Sequence, residues 1–410
     1  MTEIAERPGV DQADRESARL TSQPPKRGIR RLLRSTEVVV LVLVLAVIAA
    51  VLIAVGASSS PSHVAQPFKT VTLVSPSYTP KAAVGTTDDY HCTLINPHVT
   101  KDSYVISSQF KPGSAEDHHA ILGLVPPSMA ATALQANAAS GGNGWTCFGA
   151  PALPGASLAA LFTTPWLSVW APGHGADAVP KGSGISLPAG SLVIMQVHYN
   201  LLVGDKPVRN QLVLDTVPTS AAVVPLHLDL TVAPPDLPCP SGVTGPLCDR
   251  AASLADQGQR FGAGQVLTVD FIEHFCGHDP SNPPSGDTTS CLWPVDHSGY
   301  IVRAQAHMHL LGRSFSMILD PGTAQARTVL NVPNYNFDYQ KAYNLATPIP
   351  VKAGDTIQIT CSYDPTLAQK LPILRKAPAH YVTWGDGSSD EMCLGLAWTS
   401  KTLPNTHSPV

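Results

Sequence analysis

The chain has 410 residues, of which 44% are hydrophobic and only 14% charged, with a formal net charge of −4. That is ample apolar material for one or two cores and too little charge for a disordered chain. With no net basic character, nothing argues for a nucleic-acid partner. The 38 Pro and 31 Gly are many for a helical protein and suit short strands joined by turns, so the composition leans to an all-β fold.

Residues 1–36 are rich in Asp, Glu, Arg and Ser and read as a disordered cytoplasmic tail. Residues 38–55 form an unbroken apolar run with Glu37 just outside it. Extended through Gly56 and Ala57 it reaches about 20 residues, enough to span roughly 30 Å of hydrocarbon as a helix. Lys26, Arg27, Arg30, Arg31 and Arg34 precede the run, and Ser58, Ser59, Ser60 and Pro61 follow it. Basic residues stay on the cytoplasmic side, so everything after about residue 58 is expected to be exported. We expect a single-pass transmembrane signal anchor over 37–57 and a linker over 58–66. A cleaved signal peptide is the competing reading, but its apolar core would be shorter and the polar extension ahead of it less long.

Strand-like segments rich in β-branched and aromatic residues follow at 69–74, 102–110, 191–200, 210–217, 265–275, 299–311 and 355–363. An Ala-rich stretch at 130–139 reads as helical. Elsewhere in the exported part no sustained 3.6-residue period appears. The simplest architecture is two antiparallel β-sandwich domains, 67–218 and 219–402, divided where VPTSAAVVP interrupts the strands.

Eight cysteines occur, at Cys92, Cys147, Cys239, Cys248, Cys276, Cys291, Cys361 and Cys393, with no CxxC pair among them. In an oxidising compartment they read as disulfides rather than metal ligands. One stretch keeps the alternative open. EHFCGH places His274, Cys276 and His278 at alternate positions, on one face if the segment is a strand, where they could bind zinc or copper.

Fifteen histidines are present, and four clusters matter. His118 and His119 are adjacent in EDHHAILGLV; on a flat strand they would point to opposite faces, so they share a metal only where the backbone bends. His198 ends the apolar run SLVIMQVHYN, with Gln196 on its face; a lone histidine there is more often a core residue than a ligand. His307 and His309 in RAQAHMHLLGRS have the i, i+2 spacing that puts both imidazoles on one strand face, about 7 Å apart at their Cα atoms. Met392, in SSDEMCLGLAW, is either a core residue beside a disulfide or a soft thioether ligand that would favour Cu(I) over zinc.

In this order along the chain the motifs HH, QVHYN, HMHLLGR and SSDEMC resemble the copper type II, ascorbate-dependent monooxygenases, the family of peptidylglycine α-hydroxylating monooxygenase and dopamine β-hydroxylase. The likeness runs from Asp88 to about Trp398. It implies two jelly-roll-like β-sandwiches facing a solvent-filled cleft. One copper would be held by His118, His119 and His198, the other by His307, His309 and Met392. The second set would be catalytic, taking O2 and a small-molecule substrate, with ascorbate or another one-electron reductant supplying electrons through the first. Tyr90 and Gln196 match polar residues beside the three-His copper. Cys92–Cys147 and Cys361–Cys393 correspond to family disulfides, which leaves Cys239 with Cys248 and Cys276 with Cys291 in a stretch that reads as a family-divergent insertion.

The departures concern substrate. The family's peptide hydroxylase grips a carboxylate with an Arg, an Asn and a Tyr, and the matching positions are Gln305, Leu394 and Leu396. No charge clamp is retained, which argues against a glycine-extended peptide and for a neutral or aromatic substrate. Arg303, on the face of Gln305, could replace the clamp but reads more simply as a solvated side chain. Two other functions compete with a copper monooxygenase: a non-catalytic copper-binding or electron-transfer protein on the same scaffold, and an adhesive β-sandwich whose histidines are incidental.

Overall fold

The computed structural model describes residues 68–408 except 83–84, 157–163, 202–203 and 205. The expected tail, membrane anchor and linker therefore lie outside the described residues, and among those described no helix is long and apolar enough to cross a membrane.

The described chain is mostly strand. The longer strands are β1 (Lys69–Val74), β2 (Asp88–Ile95), β3 (Ser103–Lys111), β4 (Asp117–Val125), β5 (Trp166–Trp170), β6 (Ser183–Leu187), β7 (Leu192–Asn200), β8 (Gln211–Pro218) and β9 (Val224–Val232). They continue with β10 (Thr288–Pro294), β11 (Gly299–His307), β12 (Gly312–Leu319), β13 (Arg327–Val332), β14 (Tyr343–Val351), β15 (Thr356–Tyr363) and β16 (Leu394–Ser400). Helix α1 (Ala130–Ala139) falls where the Ala-rich stretch predicts it.

In the first half of the chain β1, β8, β3 and β6 form one layer, and β2, β7, β4 and β5 form another. Leu212, Leu214, Val105 and Leu187 of the first layer pack on Leu122, Val193, Met195 and Val197 of the second in one buried core. Every residue of β7 is buried, as the unbroken apolar run requires of a central strand covered on both faces. In the second half β9, β16, β11 and β14 stack on β10, β15, β12 and β13. There Ile301, Ala304 and Ala397 meet Phe315, Met317, Ile357 and Ile359 in a second core. β15 buries every other side chain (Ile357, Ile359, Cys361, Tyr363), the period of two expected of a strand with one core face. β6 pairs with β9 in parallel from Val224↔Ser183 to Leu226↔Ile185, which joins one layer of each half into a single sheet of nine strands, the ninth being the short strand Asp177–Ala178 beside β3. The other pairings between these strands are antiparallel.

Two expectations fail locally. The segment 265–275 is not a strand but most of helix α3 (Ala263–Phe275), which follows α2 (Arg250–Phe261). Gln265, Thr268, Val269, Ile272 and Glu273 are its buried residues, a one-sided helical stripe that β-branched content concealed. Asp249 caps α2 by accepting from the Ala252 N–H at 2.9 Å, and Gly262, at φ +89°, breaks the two helices apart. The run 299–311 is also interrupted: β11 ends at His307, and His309 lies in the turn before β12.

Arg303 is not solvated. It is 3% exposed, ion-paired with Asp177, donating to the Ala178 carbonyl at 2.8 Å and stacked 5.0 Å from the Trp398 ring. A guanidinium taken out of water needs this full set of partners, and here they tie the residues beside β3 to β11.

All four disulfides form: Cys92–Cys147, Cys239–Cys248, Cys276–Cys291 and Cys361–Cys393. With Cys276 so engaged at the end of α3, and His278 bonded to Glu273 at 2.6 Å, the His274–Cys276–His278 alternative is overturned. A helix end does not set alternate residues on one face.

Candidate metal centre

His118 and His119 converge because β4 is bulged. Asp117 pairs with Tyr199 of β7 but His119 pairs with His198, so the register slips at His118 and the extra residue bends the strand. One ring nitrogen from each of His118, His119 and His198 then lies within 4.8 Å of the others. The Nδ1 atoms of His118 and His198 are 3.1 Å apart, and the His119 and His198 rings are 4.7 Å apart.

The histidines are held by residues around them. Tyr90, directly across from His198 on β2, stacks on its ring at 4.1 Å, and its hydroxyl lies 3.5 Å from His119 Nε2 and donates to the Asp386 carbonyl at 2.5 Å. Asp88 accepts from His198 Nε2 at 2.9 Å, which fixes the tautomer and leaves the Nδ1 lone pair facing His118. Its carboxylate also accepts from Ser388 Oγ at 2.7 Å and from Asn200 at 3.2 Å. Gln196 is buried on the expected face, and its amide donates to the Cys147 carbonyl at 3.4 Å. Its role is in seating the Cys92–Cys147 loop.

The second set is built at the end of β11. His307 and His309 sit with ring centres 5.2 Å apart. Gln340 Oε1 accepts from His307 Nδ1 at 2.6 Å and the Asp390 carbonyl accepts from His309 Nδ1 at 3.0 Å, so both rings keep their Nε2 lone pairs free. Met392 lies two residues before Leu394, the register partner of His307, and shares a cavity wall with His307. Glu391 ties this turn together: it accepts from the backbone N–H of His309 at 2.9 Å, of Leu311 at 2.6 Å and of Met392 at 3.3 Å. Burial pushes its carboxyl up to about 8 despite those donors. The disulfide Cys361–Cys393 fastens the neighbouring residue to β15.

Rather than facing each other across an open solvent gap, the two sets are neighbours, with the His119 and His307 rings 6.0 Å apart. The segment 386–392 accounts for this. It carries Met392 at one end, while Asp386 and Ser388 bond to Tyr90, Asp88 and Asn200 of the first half. Beside both sets lies a cavity of about 470 Å³ whose wall is mainly apolar. Tyr90, His119, His307 and Met392 line it, as do Gln305, Leu394 and Leu396, and no Lys or Arg is among the described lining residues.

Burial, the leading cause, pushes His118 down to about 3 and His307 down to about 4, and holds His119 and His309 well below the ordinary imidazole range. At neutral pH these rings are uncharged with lone pairs available, which is the state a metal needs. The sign follows for the metal-free protein. These imidazoles bind fewer protons in the folded form than in the unfolded chain between the depressed values and about 6.5, so their share of the stability is lost as pH falls through that window, while the raised carboxyls of Glu391 and Asp386 act in the opposite sense. Between pH 7 and pH 5 these folded imidazoles already carry no proton, so copper displaces none: we expect copper to raise the melting temperature by a near-constant amount over that range, the gain shrinking only as pH falls toward about 4, where His307 takes its proton. A gain that shrinks already between pH 7 and pH 5 would contradict it.

Sequence reasoning missed Asp88, Gln340, Ser388, Asp390 and Glu391. Asp88 was legible in part, two residues from Tyr90 on a strand beside His198. The others act through loop positions whose partners have no sequence spacing to betray them.

Residues 288–397, from β10 into β16, match the family model of the copper type II ascorbate-dependent monooxygenase C-terminal domain. The match contains His307, His309 and Met392 and covers 110 residues, so this stretch is similar to the C-terminal domain of that family. No curated protein matches the chain. Among solved structures, the empty top component of cowpea mosaic virus aligns at 9% identity over 84% of this chain and 92% of that chain with a TM-score of 0.30. Allantoicase aligns at 10% over 70% and 77% with a TM-score of 0.18, and a fucolectin from striped bass serum at 7% over 82% and 98% with a TM-score of 0.16. Scores so low carry no structural argument.

Proposed function

We propose that the protein is an exported copper monooxygenase that hydroxylates a C–H bond of a small, uncharged, mainly apolar organic substrate, using O2 and a reductant such as ascorbate. The observation that carries this reading is the apolar cavity, with no Lys or Arg among its described lining residues, with His307 and Met392 in its wall and the three-His set beside it. The four disulfides agree with export, and the apolar run at 38–55 would be the anchor.

The donors suit copper. Three imidazoles would hold one ion; two imidazoles and a thioether would hold a second and favour its reduced state. When bound, copper would supply one-electron redox chemistry toward O2. Turnover consumes one O2, two electrons and two protons, placing one oxygen atom in the substrate and releasing the other as water. The chain's own residues do the rest. Asp88 aims His198, Gln340 aims His307, and Asp390 and Glu391 fix His309. Leu394, Leu396, Ile121 and Trp166 exclude water from the cavity and receive the apolar body of the substrate. Gln305 offers a neutral amide in place of a charge clamp. Asp386, facing the cavity and pushed up to about 7 by burial, can hold a proton on its carboxyl at neutral pH.

The test is O2 consumption by copper-loaded protein with ascorbate against matched neutral, amine and carboxylate substrates. We expect substrate-linked O2 use, with product, for neutral aromatic or aliphatic compounds. Copper reduction by ascorbate with no substrate-linked O2 use across the panel would instead leave a copper-binding or electron-transfer protein.

A further inference from the structure

The helical hairpin α2–α3 lies outside the span that matches the family domain, yet it forms one side of the cavity. Phe261, Gly264, Gln265, Leu267 and Thr268 all line it. The hairpin is bracketed: the disulfide Cys239–Cys248 closes just before Asp249, and Cys276–Cys291 closes just after Phe275. Behind the wall, Leu254, Val269 and Ile272 pack with Trp384 and Met392 in one buried cluster. Gln257 donates to Asp390 Oδ1 at 3.0 Å, and Arg260 pairs with the same oxygen at 3.4 Å.

The two polar side chains of this wall each make a hydrogen bond within the protein. Gln265 donates to the Trp384 carbonyl at 2.9 Å and Thr268 donates to the Gly264 carbonyl at 2.9 Å. Leu267 is 62% exposed while still lining the cavity, which places it at the mouth. A side-chain carbon added at Gly264 would meet nothing within 4 Å, and the backbone there is ordinary helix, so this part of the wall is held open by the want of a side chain.

We propose that the α2–α3 hairpin is the specificity element of the site: it sets the length of apolar substrate admitted, with Gly264 as the limiting position and Leu267 as the entrance. The substrate class is a neutral molecule with an extended hydrocarbon portion, and carboxylates are disfavoured because no Lys or Arg is among the described lining residues to neutralise them. This rests on the monooxygenase reading for its chemistry but not for its binding.

The experiment measures binding of n-alkylbenzenes from toluene to hexylbenzene, and of the matched phenylalkanoates, to the full chain with and without copper. The readout is intrinsic fluorescence, since Trp166, Trp170 and Trp384 line the cavity. Wild type is expected to bind tighter as the chain lengthens, by a factor of about 4 per buried methylene. Gly264→Phe should lose roughly tenfold or more in affinity for hexylbenzene, the worth of two or more methylenes, while toluene binding and copper stoichiometry stay as they were. Leu267→Asp, at an exposed position where misfolding is not expected, should weaken the whole series. Unchanged length dependence in both variants, or a wild type that prefers the carboxylates, overturns the proposal. Alkylbenzene binding that responds to Gly264→Phe, with no ascorbate-supported O2 use on any bound compound, upholds the hairpin's role and removes the monooxygenase reading instead.

Discussion

Met392→Leu is expected to release one of two copper ions and to lower substrate-linked turnover by roughly a thousandfold, the several kcal/mol of barrier a metal centre supplies. Leucine is the informative substitution. Met392 is 8% exposed and packed among Leu254, Val269, Ile272 and Trp384, so truncation to alanine would add a cavity cost of about 2–5 kcal/mol and confuse ligand loss with unfolding. Leucine conserves the volume at a cost usually below about 1.5 kcal/mol and removes only the sulfur. His307 and His309 remain, each fixed through Nδ1 by Gln340 and Asp390, but two imidazoles without the thioether no longer favour the reduced ion. The three-His set is untouched and should keep its copper. Metal analysis and Cu(I) absorption-edge spectra of the variant check this directly. Two tightly held coppers with ordinary turnover would show that Met392 is a core residue and nothing more.

How much of this was readable beforehand depends on whether a residue's role follows from local spacing. The period of two in β15 and the unbroken apolar run of β7 are local, and both strands lie where the pattern puts them. The convergence of His118 and His119 needed a bend that no residue in EDHHAILGLV announces. The bulge is visible only as a register slip against β7. His307 and His309 do meet, but not for the reason their spacing offered: His309 is in a turn, held by Glu391 and the Asp390 carbonyl rather than by the strand's alternation. Helix α3 was hidden because Val, Thr, Phe and Ile favour strands when exposed pattern is ignored, whereas burial against Met392 and Trp384 decides for a helix. Arg303 was misjudged for the same reason. A charged residue is solvated by default, and only the tertiary fold brings Asp177 and Trp398 to it.

The other large effect is expected at His198, where ligand, orientation and stability meet in one side chain. His198→Ala removes an imidazole from the three-His set, and a chelate of two histidines should release its copper to a moderate chelator. It also leaves Asp88, 4% exposed, without the Nε2–H it accepts, and strips the stacked ring from Tyr90. Ser388 and Asn200 still donate to that carboxylate, so the fold should survive with a loss of about 3 kcal/mol, the combined scale of a core truncation and a half-broken buried pair. Asp88→Asn separates the two contributions. Every donor around Asp88 points at a carboxylate oxygen, and an amide must turn its NH2 against one of them, either the Ser388 N–H or the group of His198, Ser388 Oγ and Asn200. The imidazole is still present but no longer held in one tautomer, so copper affinity should fall by about 10–100-fold while stoichiometry recovers at excess metal. Competition against a chelator of known strength distinguishes a ligand that is gone from one that is merely misdirected. His198→Ala protein that still held two copper ions as firmly as the wild type would mean that the imidazole of His198 belongs to the core and not to the metal. In that case Asp88→Asn should leave affinity unchanged and appear only in the melting temperature.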